Sequence, residues 1–151
     1  MKPFFVLLIA FGLSLLIIKI FQGEVDYHRA GRIAFSFMLL FTALGHFMFP
    51  KGMALMIPDF VPLKTNLVYF TGVLEILFAL ALLWGNHKFL VGCALIAFLI
   101  LVLPANIYAA IKNVDYQQAD FSGKGTDYLW IRIPLQLIYI LWIWFFVIKG
   151  R

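Results

Sequence analysis

Glu75 sits inside an uninterrupted apolar run from Leu67 to Trp84, and no other residue in the sequence has more scope for chemistry. A carboxylate at mid-bilayer depth costs roughly 2.5–3.5 kcal/mol on insertion scales, so it normally faces a protein interior and a partner. Three other apolar segments each offer one: His46, Asn106, and the pair Arg132 and Gln136. Arg132 and Gln136 are spaced i, i+4, which puts them on one helix face, and Tyr139 continues that stripe. A Glu75–His46 or Glu75–Arg132 pair could be purely structural or could carry function. Asn106 and Gln136 could serve as interhelical hydrogen-bond glue, worth about 0.6 kcal/mol each. Arg132 could also snorkel to the headgroups.

Five segments must position these groups: about 3–21, 33–49, 67–84, 89–111 and 129–148. Each is near the roughly 20 residues that a helix needs to cross a hydrocarbon core of about 30 Å. Glycine and β-branched residues are tolerated inside them, because a bilayer leaves helix as the open way to satisfy the backbone. The first run is long and lacks a small-x-small cleavage site, so it is expected to be a retained helix rather than a signal peptide. The stretch 22–32 reads as a polar connection and 85–88 as a tight turn. Between Pro50 and Asn66, three prolines surround Met53–Ile57, a stretch too short to cross and too apolar for a free loop. An interfacial or re-entrant half-helix is expected there. The run from Asn113 to Tyr128 reads as an exposed polar loop.

Five spans put the two ends of the chain on opposite sides. Side A denotes the side of the N-terminus. His46, Glu75, Asn106, Arg132 and Gln136 then all fall in the side-A half of the bundle. Pro104 should kink the fourth span beside Asn106 and help open a cavity. Lysines and arginines divide evenly between the sides. However, Lys19, Arg29 and Arg32 outweigh Lys2 around the first helix, and side B has the shorter loops, so side B is expected to be cytoplasmic. Trp84, Trp142 and Trp144 near side B, and Tyr128 and Trp130 near side A, suit interfacial aromatic belts.

Composition supports this class and excludes others. The 151 residues are 64% hydrophobic and 13% charged, outside the range of soluble domains and with room for one transmembrane domain, 1–151. The net charge of +5 flanks apolar segments rather than forming a basic stripe, so nucleic acid is not an expected partner and membrane lipid is. Cys93, the one cysteine, excludes an intrachain disulfide and reads as a small thiol buried between helices. No histidine pair has metal-ligand spacing, so neither metal nor haem is expected.

At four places the chain resembles the DoxX-like family of small membrane proteins. These are Gly45-His46-Phe47 with Pro50, Pro58 and Pro62; Gly72-Val73-Leu74-Glu75-Ile76; Pro104-Ala105-Asn106-Ile107-Tyr108; and Arg132-Ile133-Pro134-Leu135-Gln136 with Trp142. The resemblance covers about 33–148. It implies an all-α, polytopic helical bundle of four family helices plus one N-terminal span, about 3–21, in the bacterial cytoplasmic (inner) membrane; the charge distribution above puts the C-terminus, on side B, in the cytoplasm. Some members of the family are similar to subunits of a thiosulfate:quinone oxidoreductase, and others are linked with oxidative-stress redox complexes. More distantly, the bundle looks like sterol-isomerase and sigma-2-receptor-type proteins.

Three readings of function stay open. In one, a side-A pocket of His46, Glu75, Asn106, Arg132, Gln136 and Tyr139 binds the head of a small amphipathic molecule, a quinone or lipid. In another, Glu75 and His46 exchange protons during quinone reduction by a redox partner protein. In the third, the polar groups only lock the helices together. No resident cofactor is evident; quinone is the candidate.

Overall fold

A computed structural model describes residues 2–84 and 87–150. The chain is an all-α bundle: α1 (Lys2–Gln22), α2 (Tyr27–Met48), the short α3 (Pro50–Leu55), α4 (Lys64–Trp84), α5 (Lys88–Ile111) and α6 (Leu129–Ile143). A 3-10 turn (Gly125–Tyr128) leads into α6, and a π turn (Trp144–Ile148) ends it. Five helical stretches are long and apolar enough to cross a membrane, counting Gly125–Ile148 as one. The chain is therefore a polytopic membrane bundle. Two residues of the expected turn at 85–88, Gly85 and Asn86, lie outside the described residues.

One sequence expectation about the second span needs correction. The stretch 22–32 is not all connection, because α2 starts at Tyr27, six residues ahead of Ile33. Asp26 caps it, its side chain accepting the Arg29 N–H at 2.8 Å. Reading only the apolar run misses this turn because its charged residues belong to the helix but not to the hydrocarbon core.

Small residues let the helices approach. On α2 the buried face is Ala30, Gly31, Ala34, Phe35, Ser36, Met38, Leu39 and Ala43. α1 and α4 pack on that helix, and Ser36 donates to the Ala79 carbonyl of α4 at 2.8 Å. Such small-residue faces suit bundles in lipid, where close packing replaces the hydrophobic effect as the driving force. The core gathers Leu7, Phe35, Leu39, Ala79, Leu95, Ile143 and Val147 from five helices.

Two single residues depart from expectation. Trp142 does not join an interfacial belt; its indole N–H donates to the Gly31 carbonyl at 3.0 Å, and its ring packs on Phe11 and Phe146. A half-buried indole N–H still takes an acceptor, and Gly31 leaves its turn of α2 open enough to provide one. Cys93 is exposed on the outer face rather than buried. α5 buries the stripe Gly92, Leu95, Phe98, Asn106 and Ala109, and Cys93 stands one residue off it.

The segment after α5 is more than an exposed loop. Asp115 and Asp120 pair through their backbones at 2.9 and 3.3 Å, and Val114, Asp115 and Tyr116 turn inward. The loop rests on α3, the half-helix region expected between Pro50 and Asn66. There the Tyr116 carbonyl lies where any Cβ on the buried Gly52 would stand. At the start of α4, Lys64 bonds Asp59, which lies outside the span, at 2.6 Å and holds that carboxyl below its ordinary range. The stabilisation is full above the ordinary carboxylate pKa and is lost as pH falls through the lowered one.

Replacing Gly52 by alanine should push the loop off α3, because backbone cannot yield as a side-chain tip can. Trypsin should then cut after Lys124 several-fold faster than in wild type. Gly12→Ala, which adds a Cβ with nothing near it, should cleave at the wild-type rate. Equal rates for all three proteins would refute this account of the loop.

Candidate functional site

The buried stripe of α4 is Val68, Gly72, Glu75, Ala79 and Leu82, spaced by alternating steps of four and three. Helical periodicity alone therefore sends Glu75 to the bundle interior. The residue is 9% exposed. Its neighbour is His46 of α2, whose Nε2 lies 3.5 Å from Glu75 Oε1. Gly72 makes room for this: a Cβ there would stand 2.8 Å from His46 Cβ.

The far side of the imidazole fixes where its proton sits. His46 Nδ1 is 3.0 Å from the Val68 carbonyl and 3.1 Å from Thr71 Oγ1. A carbonyl can only accept, and the Thr71 hydroxyl is itself within donating distance of the Val68 and Leu67 carbonyls, at 2.9 and 3.1 Å. Nδ1 must therefore carry a hydrogen. In neutral imidazole, Nε2 would then present a lone pair to Glu75, and a carboxylate there would add repulsion to an unpaired buried charge. A further proton between Nε2 and Oε1 would remove that repulsion. Imidazolium with carboxylate and imidazole with carboxylic acid both satisfy this, and each pair is neutral overall. Neutrality is what a low-dielectric interior requires.

Arg132 does not snorkel away. Its guanidinium donates to Asn106 Oδ1 at 2.8 Å, its one hydrogen bond among the described residues. Gln136, buried on α6, donates to the Leu99 carbonyl of α5. That carbonyl belongs to the turn that the Pro104 ring crowds, since proline leaves the neighbouring Ile100 carbonyl without its usual donor. Proline and glutamine together thus tie α5 to α6 beside Asn106.

These groups surround a cavity of about 380 Å³, open to the surface, in the half of the bundle that holds the N-terminus. Glu75, Asn106, Arg132, Gln136 and Tyr139 all line it. His46 does not; it stands behind Glu75 and touches the site only through that carboxyl. Met38, Leu39, Phe98 and Leu135 supply apolar wall. Sequence reading missed Lys2, Lys124 and the inward part of the 114–117 loop, which also line it. Lysines at span ends and polar residues in a loop look like ordinary solvated groups until the fold turns them inward. Thr71 was missed too; its i+4 relation to Glu75 was the available signal. Among the described residues, no cluster of histidine, cysteine or carboxylate side chains could hold a metal ion.

Fold and site together define a polytopic helical membrane protein with a polar cavity in one half of its bundle. Residues 35–147 match the family described as a domain of unknown function, DUF8561, and the chain belongs to that family. No curated protein and no solved structure matches it.

If His46 and Glu75 share one proton, removing either should cost about 1–3 kcal/mol, because the survivor is left buried without its partner. His46→Leu and Glu75→Leu should each lower the unfolding midpoint in detergent. The double variant should lie closer to wild type than the sum of the two losses. Additive losses would exclude the shared proton.

Proposed function

We propose that the cavity binds a small amphipathic molecule, lipid-like or a quinone. Its head would meet Glu75, Asn106, Arg132 and Gln136, and its tail would run along the apolar wall. The observation that carries this is one cavity of about 380 Å³ on which Glu75, Asn106, Arg132, Gln136 and Tyr139 converge beside an apolar wall. A scaffold that used these groups only as glue would have no need of the space between them.

The four motifs shared with DoxX-like proteins fall on the parts that build this site. Gly45-His46-Phe47 holds the imidazole, Gly72 to Ile76 the carboxyl, Pro104 to Tyr108 the kinked wall, and Arg132 to Gln136 the opposite face. On that basis we infer a DoxX-like protein of the bacterial inner membrane, with its C-terminus in the cytoplasm. The His46–Glu75 pair supports a second reading, a membrane subunit of a quinone-linked redox complex, since a proton held between two bases can be passed to a reduced quinone. That reading calls for a redox partner protein to supply the electrons.

Protein purified in mild detergent and denatured into a mass spectrometer should release a lipid- or quinone-sized molecule in near-stoichiometric amount. Val102→Phe, which fills the cavity from α5, should release several-fold less while keeping its helical content. Leu135→Phe does the same from α6. Release that is unchanged in both folded variants, or no release from wild type, would refute the binding reading.

A further inference from the structure

Glu75 Oε2 is buried and has no hydrogen-bond partner among the described residues. Oε1 is the oxygen turned to His46, and Oε2 is the closed-off oxygen of a carboxyl that lines the cavity. Whether the carboxyl is ionised or holds a proton on Oε1 toward Nε2, Oε2 is an acceptor. A buried acceptor calls for a donor. A quinone carbonyl or an ester oxygen cannot provide one; a hydroxyl or an ammonium can.

The rest of the lining chooses between those two. Lys2, Lys124 and Arg132 all face this cavity, and none forms an ion pair among the described residues. The guanidinium is oriented by Asn106 through one of its donors. Against these three cations stand only two carboxylates. Asp115 is engaged by the Gln117 and Gln118 amides at 2.8 and 3.2 Å, and Glu75 is paired with His46. The lining is thus electropositive. An ammonium would add a further positive charge in a low-dielectric space, whereas an anion would be drawn in and held by the guanidinium fork.

We propose that the cavity is a site for a hydroxyl-bearing phosphate ester of the glycerophosphate type. Its phosphate lies against Arg132, Lys124 and Lys2, and one hydroxyl donates to Glu75 Oε2. This deepens the binding reading above and rests on it. The same headgroup chemistry occurs in an anionic lipid and in free glycerol phosphate. The apolar wall of Met38, Leu39, Phe98 and Leu135 favours the lipid.

Binding to the detergent-solubilised full chain, read by thermal shift and by native mass spectrometry, separates the possibilities. The probes are dioctanoyl phosphatidylglycerol, phosphatidylmethanol and phosphatidylcholine, together with free sn-glycerol 3-phosphate and decylubiquinone. Phosphatidylglycerol should bind about tenfold or more tighter than phosphatidylmethanol, which keeps the anion but lacks the hydroxyl. Phosphatidylcholine, zwitterionic and without a hydroxyl, should be weaker again. The His46→Leu/Glu75→Leu double variant should erase the preference for the hydroxyl yet still bind both anionic lipids, and Arg132→Gln should weaken both about equally. Glycerol 3-phosphate binding as tightly as the lipid would support the headgroup chemistry and assign it to a soluble source. Equal affinity for phosphatidylglycerol, phosphatidylmethanol and phosphatidylcholine, or a preference for decylubiquinone, would overturn the inference while leaving an amphiphile site. If none of the probes bound, the binding reading would fall with it. The wild-type series alone decides these outcomes should a variant fail to fold.

Discussion

A charge cannot be left alone in hydrocarbon, and this bundle meets that constraint by setting a histidine beside its buried acid. Val68 and Thr71 on α4 engage His46 Nδ1, which leaves Nε2 to face Glu75 Oε1. All the participants lie on two helices, α2 and α4, so the pair also fixes the register of that contact. A one-residue slide of either helix would separate Nε2 from Oε1 and Nδ1 from the Val68 carbonyl at once. Ser36 on the Ala79 carbonyl repeats the same logic further along, with a neutral donor in place of a charged pair.

The other helices are arranged around what this pair leaves unsatisfied. α5 and α6 meet through Gln136 on the Leu99 carbonyl and Arg132 on Asn106, both polar contacts in the half of the bundle where the cavity lies. At the opposite end the seam closes with packing: Gly31 seats Phe146, and Gly92 lies against Ile148 and Val147. One end of the bundle is therefore sealed by glycines meeting large apolar side chains. The other end is held open by longer polar side chains that bridge a gap. The cavity follows from that difference, since two polar bridges cannot fill the volume that close helix contact would remove.

Much of this was legible in the residues because membranes simplify the problem. An apolar run of about 20 residues has one available secondary structure, so the spans could be read by length. A carboxylate inside such a run must find company, so Glu75 called for a partner among His46, Asn106, Arg132 and Gln136, and the fold supplies His46. The failures share a physical cause as well. In lipid, an outward residue can be as apolar as an inward one, so nothing in an all-apolar stretch such as Val91–Ile100 marks which side faces protein. Cys93 was misplaced for that reason. Trp142 has a ring suited to an interface and an N–H suited to a buried carbonyl, and only the glycine at position 31 decides between them. The start of α2 was missed because hydropathy reports where lipid ends, not where the helix does.

The first helix shows how the site depends on a part of the chain that lies outside the match to the DUF8561 family, which begins at residue 35. Sequence reading treated α1 as an added span. Its packing says more: Leu7 is fully buried in the common core, Phe11 meets Trp142 edge-on and Phe146 at a tilt, and Lys2 and Pro3 form part of the cavity wall. A four-helix bundle of α2, α4, α5 and α6 alone would keep Glu75, His46, Asn106, Arg132 and Gln136 but would lose that wall and one of its three cations. The His46–Glu75 pair thus belongs to the matched region in full, while the shape and charge of the space beside it depend on a helix outside that region. Related chains that keep the pair but differ before α2 would hold the same acid in a differently walled and differently charged cavity. The head chemistry read from Glu75 Oε2 would then carry over to them, and the preference for an anion would not carry over unchanged.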